Sequence, residues 1–212
     1  MSRTERSHVF WGAASPLAGL AGGGLLIMAS DRLAHAIVTG GALLWVYCFS
    51  ALAAIPAAKI FPRQGKRFIL IFLASFTGSV YLLLLWFLSP LAALEMFFVI
   101  PAIPLFCAAS GIFRRMEGLD AAEALYRAAS EALIMALLII ILALVREPLG
   151  FFCLSLPGGM RGIVHIFSFE GEGESFFPLR LAASSAGALL LLGYGAGLYR
   201  HFRKTYAPRE ED

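Results

Sequence analysis

Arg146 and Glu147 stand side by side at the end of the apolar run "LIMALLIIILALV" and are followed at once by Pro148 and Gly150. Ionisable side chains next to such a run are costly in lipid and mark candidate sites. On a helix, neighbouring residues point about 100° apart, so the two charges cannot serve one partner. The spacing predicts that one faces a helix bundle and the other the interface, with Arg146 donating to helix-end carbonyls. Glu95 is the nearest acidic candidate on another span, and Arg180 is a further candidate for the same ring of charges. Arg127 and Glu131 are spaced i,i+4, which predicts a pair along one helix face, the alternative being snorkelling charges near the interface.

The three cysteines, Cys48, Cys107 and Cys153, are scattered and contain no CxxC pair. That pattern argues against a disulfide framework, and each reads first as a small buried hydrophobe. The histidines His8, His35, His165 and His201 fall near span ends or in a loop, without metal-ligand spacing, and read as interfacial. No P-loop, GxGxxG after a strand, GxSxG or HExxH is present, and no nucleophile–base pair is visible.

The elements that position these residues follow from composition. The chain has 212 residues, is 59% hydrophobic and 15% charged, with mean hydropathy +0.80. A soluble domain averages about 25% charged residues, so this chain lacks the surface such a domain needs. Its solvent is a bilayer, which takes runs of roughly 20 apolar residues. Six such runs are read, at 10–29, 33–58, 68–89, 91–113, 124–147 and 176–199, with an outer loop at 148–175. The apolar runs lack the alternation of barrel strands, so the predicted class is an all-α membrane protein forming a single polytopic domain over 1–212. Arg3 and Arg6 before an apolar run could imitate a secretory signal; the interrupting glycines and the similar spans that follow predict a retained first helix.

Threading six spans puts all but four of the 17 Lys and Arg residues on the N-terminal side; Arg32, Arg146, Arg161 and Arg180 remain on the other. Cytoplasmic loops carry the Lys/Arg excess, so both termini are expected in the cytoplasm and the acidic "EGEGES" outside. The net charge of +3 is too small to point to a nucleic-acid partner. Gly19/Gly23 and Gly193/Gly197 have GxxxG spacing, which serves ordinary packing as readily as a specific interface. Pro16, Pro56, Pro101 and Pro104 lie inside or near the ends of spans, where broken helices are tolerated if they line protein or a cavity.

Three stretches carry a family resemblance. "VREPLGFFCLSLPG" resembles the signature that ends the fifth helix of the Rnf/Nqr integral-membrane subunits: Arg146, Glu147, Gly150 and Leu154 fit, with Phe152 and Cys153 in place of Gly-Thr. "CAASG", from Cys107 to Gly111, resembles the fourth-helix "NCxxxG" element, with Phe106 in place of the asparagine. "WGAASPLAG" resembles the first-helix element "LGxCxxL", with Ala14 where the family has cysteine. The resemblance extends over most of the chain and implies two inverted three-helix repeats, each with a broken helix that places a cysteine near the midplane. It implies paired subunits of opposite insertion that share a [2Fe-2S] cluster through four thiolates, with termini as in the E/D-type member. Cys107 is then the one ligand this chain retains.

The leading expectation is a membrane subunit of an ion-coupled electron-transport complex in a bacterial cytoplasmic membrane. At most it would be an electron-relay or non-catalytic subunit, partnered by other membrane subunits. The alternative is a non-redox transporter or scaffold subunit on the same frame, which Ala14 favours; a membrane peptide-processing enzyme has no visible catalytic pair.

Overall fold

The computed structural model describes residues 20–60, 65–115, 119–168 and 180–206. The expectations that rest on Ala14, Pro16, Arg3, Arg6 and "EGEGES" lie outside them.

Two long helices form the axis of the molecule. Helix α2 (Leu33–Ile60) packs along α7 (Ala121–Phe151). The two are antiparallel, since the start of α2 meets the end of α7 through Leu33 and Glu147. Small residues make this contact close: Ala36, Ala42, Ala51, Ala128, Ala132, Ala136 and Ala143 are all buried. At Gly40 a Cβ would come within 3.1 Å of the Ala136 Cβ, so the helices approach as near as a glycine permits.

Helix α3 (Lys66–Leu88) lies against the other side of α2. Tyr81 of α3 reaches over Gly41, where a Cβ would meet its hydroxyl at 2.8 Å, and donates to the Val38 carbonyl at 3.0 Å. The outer face of α3 exposes Phe68, Phe72, Phe76, Trp86 and Phe87. A contiguous aromatic face of this size is what a lipid solvent accepts and water does not. Among the described residues three helical segments are long and apolar enough to cross a membrane, namely Leu33–Ala57, Phe68–Leu88 and Ala121–Phe151. Val99–Ser110 and Ser185–Gly195 are apolar but shorter.

The span expected at 91–113 is not continuous. It divides into α4 (Pro90–Glu95), a turn at 96–98, α5 (Val99–Ser110) and a final turn of helix, α6 (Ile112–Arg115). Pro101 favours the first break without compelling it, since α2, α5 and α7 run on through Pro56, Pro104 and Pro148. A proline is tolerated in the opening turn of a helix, but its ring would clash with the carbonyl four residues back if α4 ran on. Gly111, at φ 72°, ends α5 in the left-handed conformation that favours glycine. The 12 residues of α5 span about 18 Å, well short of the roughly 30 Å hydrocarbon core.

The span expected at 176–199 is also interrupted. Its described part is α8 (Arg180–Ala183) and α9 (Ser185–Tyr206), separated by Ser184, whose hydroxyl accepts the Gly187 N–H at 3.2 Å and caps α9. Before α2, α1 (Leu20–Ala29) is the described part of the first span and ends at Ser30.

The described residues are mostly helical, as expected, and the second correction concerns the outer loop. Helix α7 does not stop at Glu147 but continues through Pro148 to Phe151. The described part of the loop then forms an antiparallel hairpin, β1 (Cys153–Pro157) with β2 (Ile163–Ser168). Its register pairs Cys153 with Ser168 and Pro157 with Ile163, with a bulge between Leu154 and Ser155. β1 packs against the N-terminal end of α2 and the end of α7.

Candidate functional site

The end of α7 is where broken helices converge. Arg146 is only 3% exposed, and its guanidinium is used on three sides. Nε donates to the Ala182 carbonyl at 2.9 Å and Nη2 to Ala183 at 2.8 Å. Nη1 donates to the Ile27 carbonyl at 3.0 Å and to the Ser30 hydroxyl at 3.1 Å. Ala182 and Ala183 close α8, and Ile27 lies in the last turn of α1, so one cation satisfies orphan carbonyls at the ends of two helices.

Glu147 is fully buried and turned the other way. Its Oε2 accepts the Leu33 N–H at the start of α2, at 2.8 Å, and its Oε1 accepts the Cys153 thiol at 3.9 Å. Ser155 Oγ accepts the next amide, that of Ala34, at 3.5 Å. The adjacency of Arg146 and Glu147 therefore has a physical reason. The 100° between them sends the cation to helix C-termini and the anion to a helix N-terminus, each end receiving the charge its dipole favours. The expectation that one of the two faces the interface is corrected, since both are enclosed. Gly150, one turn on, is equally constrained: a Cβ there would lie 2.8 Å from that of Ala183.

Glu95 does not meet Arg146. It closes α4 and its Oε2 lies 2.7 Å from His35 Nε2. The other ring nitrogen, Nδ1, is 2.8 Å from Asp31 Oδ1, which also accepts the Arg32 N–H at 2.8 Å. The His35 side chain is almost enclosed, while the two carboxylates are partly open to the outside. Burial alone would raise the Asp31 carboxyl, but the His35 hydrogen bond and charge, the Arg32 amide and the Arg146 charge outweigh it and hold Asp31 below its ordinary value. His35 was read only as an interfacial histidine near a span end, whereas its ring is almost enclosed, and Asp31 was not singled out. The one available signal was their i,i+4 spacing.

Arg127 pairs outward with Glu123 at 2.8 Å rather than with Glu131. A four-residue step rotates about 40° around the helix, enough to carry Glu131 into the buried stripe of Ala128, Ala132 and Met135. There Glu131, the phenol of Tyr47, the thiol of Cys107 and the Ser110 hydroxyl lie close together. Ser110 in turn donates to the Cys107 carbonyl at 2.9 Å.

Cys107 is fully buried on α5 within this polar cluster. A [2Fe-2S] cluster usually takes four thiolates. Among the described residues Cys48 and Cys153 lie on other elements, and no three His, Cys, Asp or Glu side chains are grouped to hold a metal ion. The Cys107 thiol is buried beside Tyr47, Ser110 and Glu131, and the described residues do not by themselves supply a complete ligand set for a cluster. No electron-transfer step is placed on them. Arg180 begins α8, next to the segment that Arg146 holds.

No family model matches the chain, and no curated protein matches its sequence.

Proposed function

We propose that the chain is a membrane-embedded subunit of an Rnf/Nqr-like ion-coupled electron-transport complex. It sits in a bacterial cytoplasmic membrane with both termini inside, and other membrane subunits and lipid cover its apolar faces. The observation that carries this reading is the placement of the resembling residues. Arg146, Glu147 and Gly150, on which the likeness to the family's fifth helix rests, are the residues that join α7 to the ends of α1, α2 and α8. The motif is thus the junction around which the broken helices are arranged. In this role the chain is a frame and a partner surface, not a catalyst.

A second reading, a non-redox transporter or scaffold subunit on the same frame, is favoured by the enclosure of Cys107 and by Ala14. Purification of the intact complex from native membranes separates the two, by mass spectrometry of its subunits, iron content and low-temperature EPR of the reduced sample. The first reading expects co-purification with other polytopic subunits and with at least one redox subunit. A reducible iron–sulfur signal lost in Cys107→Ser would assign a ligand to this chain. An assembly without redox subunits would overturn the first reading in favour of the second.

A further inference from the structure

His35 makes two contacts, and the number of hydrogens they need exceeds what a neutral imidazole has. Nδ1 lies 2.8 Å from Asp31 and Nε2 lies 2.7 Å from Glu95, both hydrogen-bond distances to carboxylate oxygens. A neutral ring carries one N–H and one lone pair. With that single hydrogen used toward one carboxylate, the lone pair of the other nitrogen would face the second across less than 3 Å. Both contacts are satisfied only if the group holds one more proton, on the second ring nitrogen or on a carboxyl oxygen.

The surroundings keep that proton in place. Asp31 belongs to the connector between α1 and α2, His35 to the first turns of α2, and Glu95 to the end of α4, so the proton joins three elements. The charged groups facing this site from α7 are Arg146, which favours the Asp31 anion, and Glu147, which is occupied by the Leu33 amide. Arg32 is turned away, its guanidinium 5.7 Å from the centre of the Phe151 ring. β1 contributes Ser155, bound to the Ala34 amide, and Cys153, bound to Glu147. No other cation among the described residues is recorded in contact with Glu95. One turn further along α2, Thr39 meets the buried Met96 sulfur at 3.7 Å, which continues the seam between α2 and the end of α4.

We propose that Asp31, His35 and Glu95 form a proton-binding site whose extra proton latches α4 to the start of α2. With the proton bound, His35 bridges two carboxylates. With it lost, a ring lone pair faces a carboxylate, and the six-residue α4 is released from α2. Both carboxylates are partly exposed, so the proton exchanges with the solvent on that side. The proposal does not depend on the chain's place in an electron-transport complex.

The test uses the full chain in nanodiscs with 15N-labelled histidine, the His35 signal being assigned by its loss in His35→Gln. At pH 7.5 the native chain is expected to hold the extra proton, seen as a doubly protonated ring or, by infrared difference spectroscopy, as a protonated carboxyl removed by Glu95→Gln or Asp31→Asn. A singly protonated His35 with no protonated carboxyl would overturn the proposal. In the Asp31→Asn/Glu95→Gln double variant the population holding the extra proton, on ring or carboxyl, should fall about tenfold or more, the effect of 1.36 kcal/mol or more between protonation states. An unchanged population would remove the carboxylates from the account. The latch is read separately, as hydrogen exchange across residues 90–95 while pH is raised. Exchange should accelerate as the proton leaves, and protection that persists after its loss would overturn the latch. If the double variant does not fold, the native signals and the exchange profile still decide.

Discussion

At the residue scale, Arg146 and Glu147 divide the labour of two opposite helix ends. Arg146→Gln leaves the carbonyls of Ile27, Ala182 and Ala183 enclosed with one neutral donor group among them. The expected loss is on the order of 3 kcal/mol, since hydrogen bonds to charged groups are each worth about 1.5–3 kcal/mol. Glu147→Gln keeps an acceptor for the Leu33 amide and should cost less, about 1–2 kcal/mol. Because Glu95 bonds His35 and not Arg146, Glu95→Gln and Arg146→Gln should add to within about 0.5 kcal/mol in a denaturation series in mixed micelles. Strong coupling between them would contradict this separation, showing that the two meet or are linked through Asp31 and His35. Much of this junction was legible beforehand, because a charge beside an apolar run is conspicuous. The His35 bridge was not: Asp31 looks like an ordinary connector residue, His35 like an interfacial one at a span end, and Glu95 comes 60 positions later.

At the element scale, the breaks differ in how visible they were. The interruption before α5 is marked by Pro101 in its opening turn, although Pro56, Pro104 and Pro148 are carried inside continuous helices. The interruption at Ser184 has no such marker, since "LAASSAGALL" would serve as helix throughout. It is decided by long-range hydrogen bonds, as Arg146 takes the carbonyls of Ala182 and Ala183 while Ser184 caps α9. The hairpin was obscured for a different reason. Ser155 alternates with Leu154 and Leu156, a two-residue pattern easily lost between Pro148 and the glycines of 158–162. The close seam of α2 and α7 supports a direct test. Gly40→Leu forces a side chain against Ala136 and should destabilise the chain by about 1–3 kcal/mol. Gly193→Leu, where a Cβ would meet nothing within 4 Å, should stay within about 0.5 kcal/mol of the native chain. Equal effects at the two positions would contradict the packing described for α2 and α7.

At the scale of the whole molecule, the antiparallel pairing of α2 and α7 has a consequence for topology. The start of α2, the end of α7 and the hairpin lie at one end of the pair, and the start of α3 follows from the other end of α2. In the proposed orientation, which rests on the loop charges, the hairpin end of the pair lies outside and the Lys66 end in the cytoplasm. The aromatic face of α3 fits lipid or a partner helix, whereas the six-span count rests on stretches that include residues outside the described ones. Single-cysteine accessibility in intact cells tests this account of a membrane-embedded frame most directly. Reporters are placed at Lys66, Met160 and Arg203 in a chain whose native cysteines are serine. The exposed Met160 position should react with an impermeant thiol reagent, and the Lys66 and Arg203 positions should react only after the membrane is opened. Labelling of Lys66 from outside, or protection of Met160, would contradict the account.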